Sequence, residues 1–235
     1  KTFLYNFQYP GAHIKPKGVL EQIKQGIHFK PAQYLLKLMR YANQKEGKAV
    51  GITKFEVCHC IFNDLRVTRD NEGVEQTWKR ISENRKQKVT YDQTGDVVRY
   101  AGDMIDYMET ANLLKTYDSR TYYLNTLEEE SIIKFCESRE WFSGYDTMID
   151  NLSGSIEAVK ECTSEWFAYV NRDMQDTDFS TDILAYIAND EEELKQLQKN
   201  TEDASMISAA DFVERDGVLE KRLASYSDIL TTKDI

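Results

Sequence analysis

From Ala32 onward the apolar positions fall into helical register. Leu35, Leu38, Met39 and Ala42 recur at the i, i+3, i+4, i+7 spacing of one helix face, with Pro31 suited to the first turn and Gly47 to the exit. Gly51-Ile52-Thr53 restarts the chain. Thr53 followed three residues later by Glu56 is a capping-box pattern, and the short second helix it opens carries Phe55, Cys58, His59 and Phe62 on one face. Asp70-Asn71 offers a cap for a third helix, in which Val74, Trp78 and Ile81 point inward while Gln76, Lys79, Arg80, Glu83 and Lys86 point out. Gly95-Asp96 introduces a fourth, with Val97, Ala101, Met104, Met108 and Ala111 inward and an end near Asn112, a residue that tolerates the left-handed conformation. The period then changes. Two short β-prone runs, Leu113 to Tyr117 and Arg120 to Asn125, flank Asp118-Ser119 and predict a hairpin.

Helices running into a β-hairpin are the layout of a winged helix-turn-helix. The first 31 residues hold all three prolines, Pro10, Pro16 and Pro31, and read as a loop-rich opening. Beyond the hairpin the pattern is helical throughout: Glu128 to Phe135, Ser155 to Val170, Thr181 to Leu197, and a last segment with Leu219, Leu223, Tyr226 and Leu230. The expected fold is therefore mainly α: a winged-helix domain over 1–137, its wing a β-hairpin, followed by an all-helical linker domain over 138–235.

Of the 235 residues, 41% are hydrophobic, enough for a packed core, and no apolar run approaches the length of a membrane span. A chain that opens on Lys1 without Met, and without a signal peptide, reads as an excised piece of a longer protein. Four cysteines without framework spacing suggest a cytoplasmic origin. The formal charge of −10 hides a split: residues 1–125 carry a net +6 and residues 126–235 a net −16. Polyanion binding therefore suits the first half and not the second.

Several motifs invite chemistry and do not carry it. Cys58-His59-Cys60 places two thiols at i and i+2, about 200° apart on an α-helix, so core cysteines are the simpler reading than a zinc site. Glu46-Gly47-Lys48 has the letters of a nuclease Glu-x-Lys, but it falls at a helix exit without a preceding apolar strand. His13 and His28 have no nucleophile pattern near them. No phosphate-loop, dinucleotide or serine-elbow motif occurs, so no catalytic residue is assigned.

The positive signal is cationic. Arg66, Arg69, Lys79, Arg80, Arg85, Lys86 and Lys88 fall within 23 residues, Arg99 opens the fourth helix, and Lys115 and Arg120 sit on the hairpin. In a helix-turn-helix such groups clamp phosphates while an exposed helix stripe reads base edges. With Thr53 and Lys54 at the second helix start, Arg66, Arg69, Lys79, Arg80, Lys86, Lys88, Arg99, Lys115 and Arg120 form the expected DNA-binding set. The fourth helix, which directly precedes the wing, is the favoured groove helix, although Asp103 and Asp106 leave only its start near Arg99 comfortable beside phosphate. This reading requires the cations to share one surface and to be free of carboxylates.

Phe7-Gln8-Tyr9-Pro10, the Leu35-Leu36-Lys37-Leu38-Met39 helix, Gly51 to Val57 leading into Cys60-Ile61-Phe62, and the Val97 to Asn125 helix-hairpin resemble the AlwI family of type IIS restriction endonucleases and nickases. The similarity is to the second winged-helix subdomain of the recognition region, and Phe179 to Leu197 is similar, more weakly, to the helical linker after it. The resemblance implies binding to double-stranded DNA at a short asymmetric site and a magnesium-dependent nuclease domain or subunit that is not in this chain; the short apolar runs already argue against a membrane partner. No cofactor is expected within the chain itself. The rival expectation is a winged-helix transcriptional regulator whose helical half dimerises.

Overall fold

Several helices have a visible local cause. The computed structural model describes residues 1–12, 15–151 and 155–172, which belong to one compact unit running from Lys1 to Phe179. The order is α1 (Thr2–Asn6), α2 (Pro16–Lys24), α3 (Pro31–Glu46), β1 (Ile52–Thr53), α4 (Lys54–Val57), a π-helical turn (Cys58–Phe62), α5 (Leu65–Thr68), α6 (Val74–Lys86) and α7 (Asp96–Thr110). Then come β2 (Leu114–Thr116), β3 (Thr121–Leu124), α8 (Glu129–Glu137), α9 (Asp146–Asn151) and α10 (Ile156–Val170), with two short 3-10 turns between β3 and α9. The architecture is mainly α.

α3 starts on Pro31 and stops at Gly47, whose φ of 64° costs glycine less than residues with a β-carbon. Its buried face holds Leu35, Leu36, Leu38, Met39 and Ala42 at the centre of the core. α4 carries the complete capping box: Thr53 accepts from the Glu56 amide at 3.3 Å, and Glu56 accepts from the Thr53 amide at 2.9 Å. Thr53→Ala is expected to cost about 1 kcal/mol, the usual loss of a side-chain N-cap, read as a lower urea midpoint at unchanged slope. α10 starts where Ser155 accepts from the Ala158 amide.

Four sequence expectations change. The opening 31 residues contain two helices, because Pro16 sits in the first turn of α2, where its missing N–H costs nothing, and Val19, Leu20 and Ile23 then bury one face. α6 begins at Gly73 rather than under an Asp70-Asn71 cap. In α7 it is Val98, not Val97, that joins Ala101, Met104, Ile105 and Met108 inside. The second helix is interrupted after Val57 by the π-turn, which keeps both Cys58 and Cys60 buried despite their i, i+2 spacing.

The hairpin forms where expected, with Ser119 left-handed in its turn and Asn112 left-handed after α7. The sequence pattern did not reveal its third strand. β1 pairs antiparallel with β3, so the sheet order is β1-β3-β2, with Thr53 opposite Thr121 and Lys115 opposite Tyr123. The boundary expected after residue 137 falls inside the compact unit, and α10 packs against α1 and α2. The helices expected over Thr181 to Leu197 and around Leu219 to Leu230 lie outside the described residues, as does His13. Among the described residues, no helix is long and apolar enough to cross a membrane.

Candidate nucleic-acid interface

Alternation along β3 separates two faces of the small sheet. Tyr122 and Leu124 are buried against the core with Ile52 and Leu114, while Thr121 and Tyr123 turn outward with their register partners Thr53 and Lys115. Tyr117 joins this outer face, its ring 5.8 Å from Tyr123. Gly51 lies beside them because nothing larger fits: a β-carbon there would run into Thr121 and stand 2.8 Å from the Tyr123 ring. Lys54 and Arg120, each one step beyond the Thr53–Thr121 pair, are exposed at the same end of the sheet. Asp118 spends its carboxylate in the turn, accepting from the Arg120 and Thr121 amides at 2.9 and 2.8 Å, and these bonds hold its carboxyl below the usual range.

The C-terminal end of α6 closes onto this sheet. Arg85 donates to Glu56 at 2.6 and 2.9 Å and to the Gly51 carbonyl at 2.7 Å, tying α6 to the start of α4. Lys86 and Lys88, just beyond, are exposed. Of the expected set, Thr53, Lys54, Lys115 and Arg120 lie on or next to this sheet, and Lys86 and Lys88 follow the arginine that ties α6 to Gly51. Among the described residues, no carboxylate lies within ion-pair reach of Lys54, Lys86, Lys88, Lys115 or Arg120.

The arginines fare differently. Arg66 forms a two-bond fork with Asp64 at 2.9 and 2.7 Å, and Arg69 does the same with Asp70 at 2.6 and 2.9 Å. Arg80, expected on the outer face of its helix, instead turns inward between Glu72 and Asp64. Arg99 pairs with Asp96 at 3.5 Å and lies over the Tyr100 ring on a face that also carries Asp103 and Asp106. Lys79 is exposed and unpaired among the described residues. All four arginines of the 66–88 cluster are therefore engaged by carboxylates, and its three lysines are not. A carboxylate-paired guanidinium must give up that partner before it can hold a phosphate, whereas the lysines start free.

Sequence reasoning missed the exposed face of α3. Gln33 donates to the Phe135 and Ser138 carbonyls at 3.0 and 2.7 Å and so anchors the end of α8 beside α3. Between α8, β3 and the start of α6 lies a cavity of about 630 Å³ whose lining includes Lys37, Arg40 and Tyr41. A second, of about 320 Å³, is lined by Lys37 as well, with Lys30, Arg139 and the His28–Trp141 pair, whose rings stack at 3.7 Å. Burial brings the Lys30 ammonium down to about 8. The signal was legible in principle, since Lys37, Arg40 and Gln44 share a stripe at i, i+3, i+7 on a helix whose opposite face is apolar.

The motif Cys58-His59-Cys60 is accounted for locally. The Cys60 thiol lies 3.4 Å from the Tyr91 hydroxyl, and the His59 ring bonds the Asp92 carbonyl at 2.7 Å. Glu46 accepts from the Trp78 indole N–H at 3.1 Å, which occupies the carboxylate of the Glu46-Gly47-Lys48 letters.

A crystal structure of the BpuJ1 endonuclease binding domain, in complex with pyrene- and phenanthrene-modified DNA, superposes with a TM-score of 0.60 at 18% identity. It covers 73% of this chain and 62% of that one. At that identity the likeness speaks for the fold alone. No curated protein matches. The family model for the N-terminal region of restriction endonuclease BpuJI matches residues 1–167. The resemblance drawn from the residues named the AlwI family; the match keeps the restriction-endonuclease class under a different member. With most of its length inside that match, the chain belongs to the BpuJI N-terminal family of restriction endonucleases.

Proposed function

We propose that this chain is the duplex-DNA recognition module of a restriction endonuclease, and that it grips the sugar-phosphate backbone through the outer face of its sheet. The observation that carries the reading is the set of cations Lys54, Lys115 and Arg120 on that sheet, with Lys86 and Lys88 exposed at the end of the helix that Arg85 ties to Gly51, none held by a carboxylate among the described residues. The Tyr117–Tyr123 pair adds neutral hydroxyls beside them, while the Thr53 and Thr121 hydroxyls are spent on Glu56 and Asp118. The family supports the same class of ligand, as does the DNA bound by the BpuJ1 binding domain.

In the finer reading α7 and the hairpin act as helix and wing of a winged helix. The target is a short asymmetric site of the type IIS kind, as in the AlwI family, and the protein works in the cytoplasm. The acidic second half then acts as a linker toward the nuclease. Cleavage belongs to a magnesium-dependent nuclease domain or subunit. The described residues of this chain do not fit the metal: no three His, Cys, Asp or Glu side chains converge among them, and Glu46 is committed to Trp78. No cleavage step is therefore assigned to them.

The test is the salt dependence of binding to a fluorescein-labelled duplex. Each phosphate contact contributes a slope of ~0.9 in log K against log salt. Lys54→Gln with Arg120→Gln is expected to lower that slope by about 2 and weaken binding, whereas Arg69→Gln, whose guanidinium is already paired, leaves it nearly unchanged. Equal slopes for the unaltered chain and the double variant would sink the reading.

A further inference from the structure

The winged-helix reading has no use for the groove along α3. Its floor is a helix flanked on both sides, by α6 and by α8, each packed against it. Such a helix cannot enter a DNA groove, because its neighbours stand beside it. A concave channel takes a convex ligand.

Its charge is positive. Lys37 lines both cavities, and Arg40 stands one turn on in the larger. Neither has an ion-pair partner among the described residues, although Arg40 hydrogen-bonds the Cys136 thiol. Arg139 adds a third cation in the smaller cavity. The acids nearby are mostly spent: Glu72 is bound by Arg80, and Glu140 by Arg172 at 2.7 Å, which leaves Glu129. Tyr41 and Gln44 line the same walls with neutral polar groups. Two cations without ion-pair partners against one carboxylate, hydroxyl and amide donors, and a cavity of about 630 Å³ are the chemistry of a phosphodiester ridge.

We propose that the α3 groove is a second backbone clamp, in which Lys37 and Arg40 hold phosphates of the bound duplex at a place separate from the outer face of the sheet. This rests on the duplex-binding reading above and extends it: Leu124, which faces inward from β3, lines the groove, so the groove opens away from the strand face that carries Tyr123. Two such contacts fix the orientation of a duplex that one patch alone leaves free to pivot.

The experiment uses the full 235-residue chain and a fluorescein-labelled 30-base-pair duplex of arbitrary sequence, titrated from ~50 to ~200 mM salt. Lys37→Gln with Arg40→Gln is expected to reduce the log–log slope by about 2 and to weaken binding roughly tenfold at the lower salt. Lys37→Arg with Arg40→Lys, which keeps both charges, is expected to retain most of the slope. A second measurement needs no variant: acetylation of the unaltered chain, read by mass spectrometry, is expected to label Lys37 at least several-fold less when duplex is present. An unchanged slope in the glutamine variant, or unprotected Lys37, overturns the clamp while the Lys54 and Arg120 result still stands. A loss of slope equal in both variants that exchange Lys37 and Arg40 points to damaged folding and not to charge; Lys37 protection then decides. Failure of the unaltered chain to bind the duplex overturns the clamp and the duplex reading together.

Discussion

Replacing Trp166 with alanine is expected to destabilise the protein by about 3–5 kcal/mol, the range for emptying a buried aromatic site. The side chain is 1% exposed and is among the largest fully buried groups. Its ring meets Phe7 edge-on at 5.8 Å and packs on the backbone at Gly11, where a β-carbon would stand inside the indole. The indole N–H has no acceptor among the described residues, so the loss is one of packing and not of a hydrogen bond. What it fastens is α10 to the chain opening: the Asn6 amide also donates to the Val170 carbonyl at 3.4 Å. Domains this size hold only about 5–15 kcal/mol in all, so the variant should unfold at a much lower urea concentration. Trp166→Phe should recover part of the loss. A midpoint unchanged in Trp166→Ala would mean that the docking of α10 adds nothing to the stability of the unit.

That coupling shows where the sequence was readable and where it was not. Elements whose ends are written in single residues were legible: Pro31 and Gly47 around α3, Thr53 and Glu56 at α4, Asn112 after α7, Ser155 before α10. Each is a local rule of backbone geometry. α2 was equally local but hidden, because prolines on both sides masked the Val19, Leu20, Ile23 spacing. β1 was out of reach for another reason. Two residues have no period, and Ile52 becomes a strand only because Tyr122, seventy positions on, lies beside it. The docking of Trp166 on Phe7 and Gly11 is long-range in the same sense. No pattern within the α10 segment names its partner.

The candidate interface divides along the same line. Clustering of basic residues was visible, and so was the hairpin that carries Lys115 and Arg120. Which cations remain free was only half visible. Asp64 and Asp70 stand next to Arg66 and Arg69 in the chain, a local pairing that could have demoted both. Glu56 lies 29 residues from Arg85, and that pairing needed the fold. Guanidiniums gain more than ammonium groups from a planar fork onto a carboxylate, which is why the arginines of the cluster went to structure and the lysines stayed at the surface.

Arg80 carries that distinction to its largest consequence. Its side chain is 16% exposed, set between Glu72 and the Asp64 carboxylate 3.2 Å away, with the Cys60 carbonyl at 3.4 Å. Glu72 also accepts from Thr77 at 2.7 Å, and Thr77 bonds Tyr34, so the guanidinium sits inside a network that joins α3, α5 and α6. Removing one member of a desolvated ion pair leaves the others uncompensated, and Arg80→Leu is expected to cost about 3–5 kcal/mol. The pH dependence follows from Asp64. Burial pushes its carboxyl up, but the Arg66 fork and amide and the Arg80 charge outweigh burial and hold it below the ordinary value. A carboxyl so depressed adds stability above its unfolded value near ~4 and loses it as the pH falls through the folded one. Without Arg80 that contribution shrinks, so the gap between the unaltered chain and Arg80→Leu should be widest near neutral pH and close toward pH ~3. Because Arg80 faces inward, duplex binding by the folded variant should keep the salt slope of the unaltered chain. A slope reduced by about 1 with little change in the urea midpoint would return Arg80 to the DNA-binding set and remove it from the core.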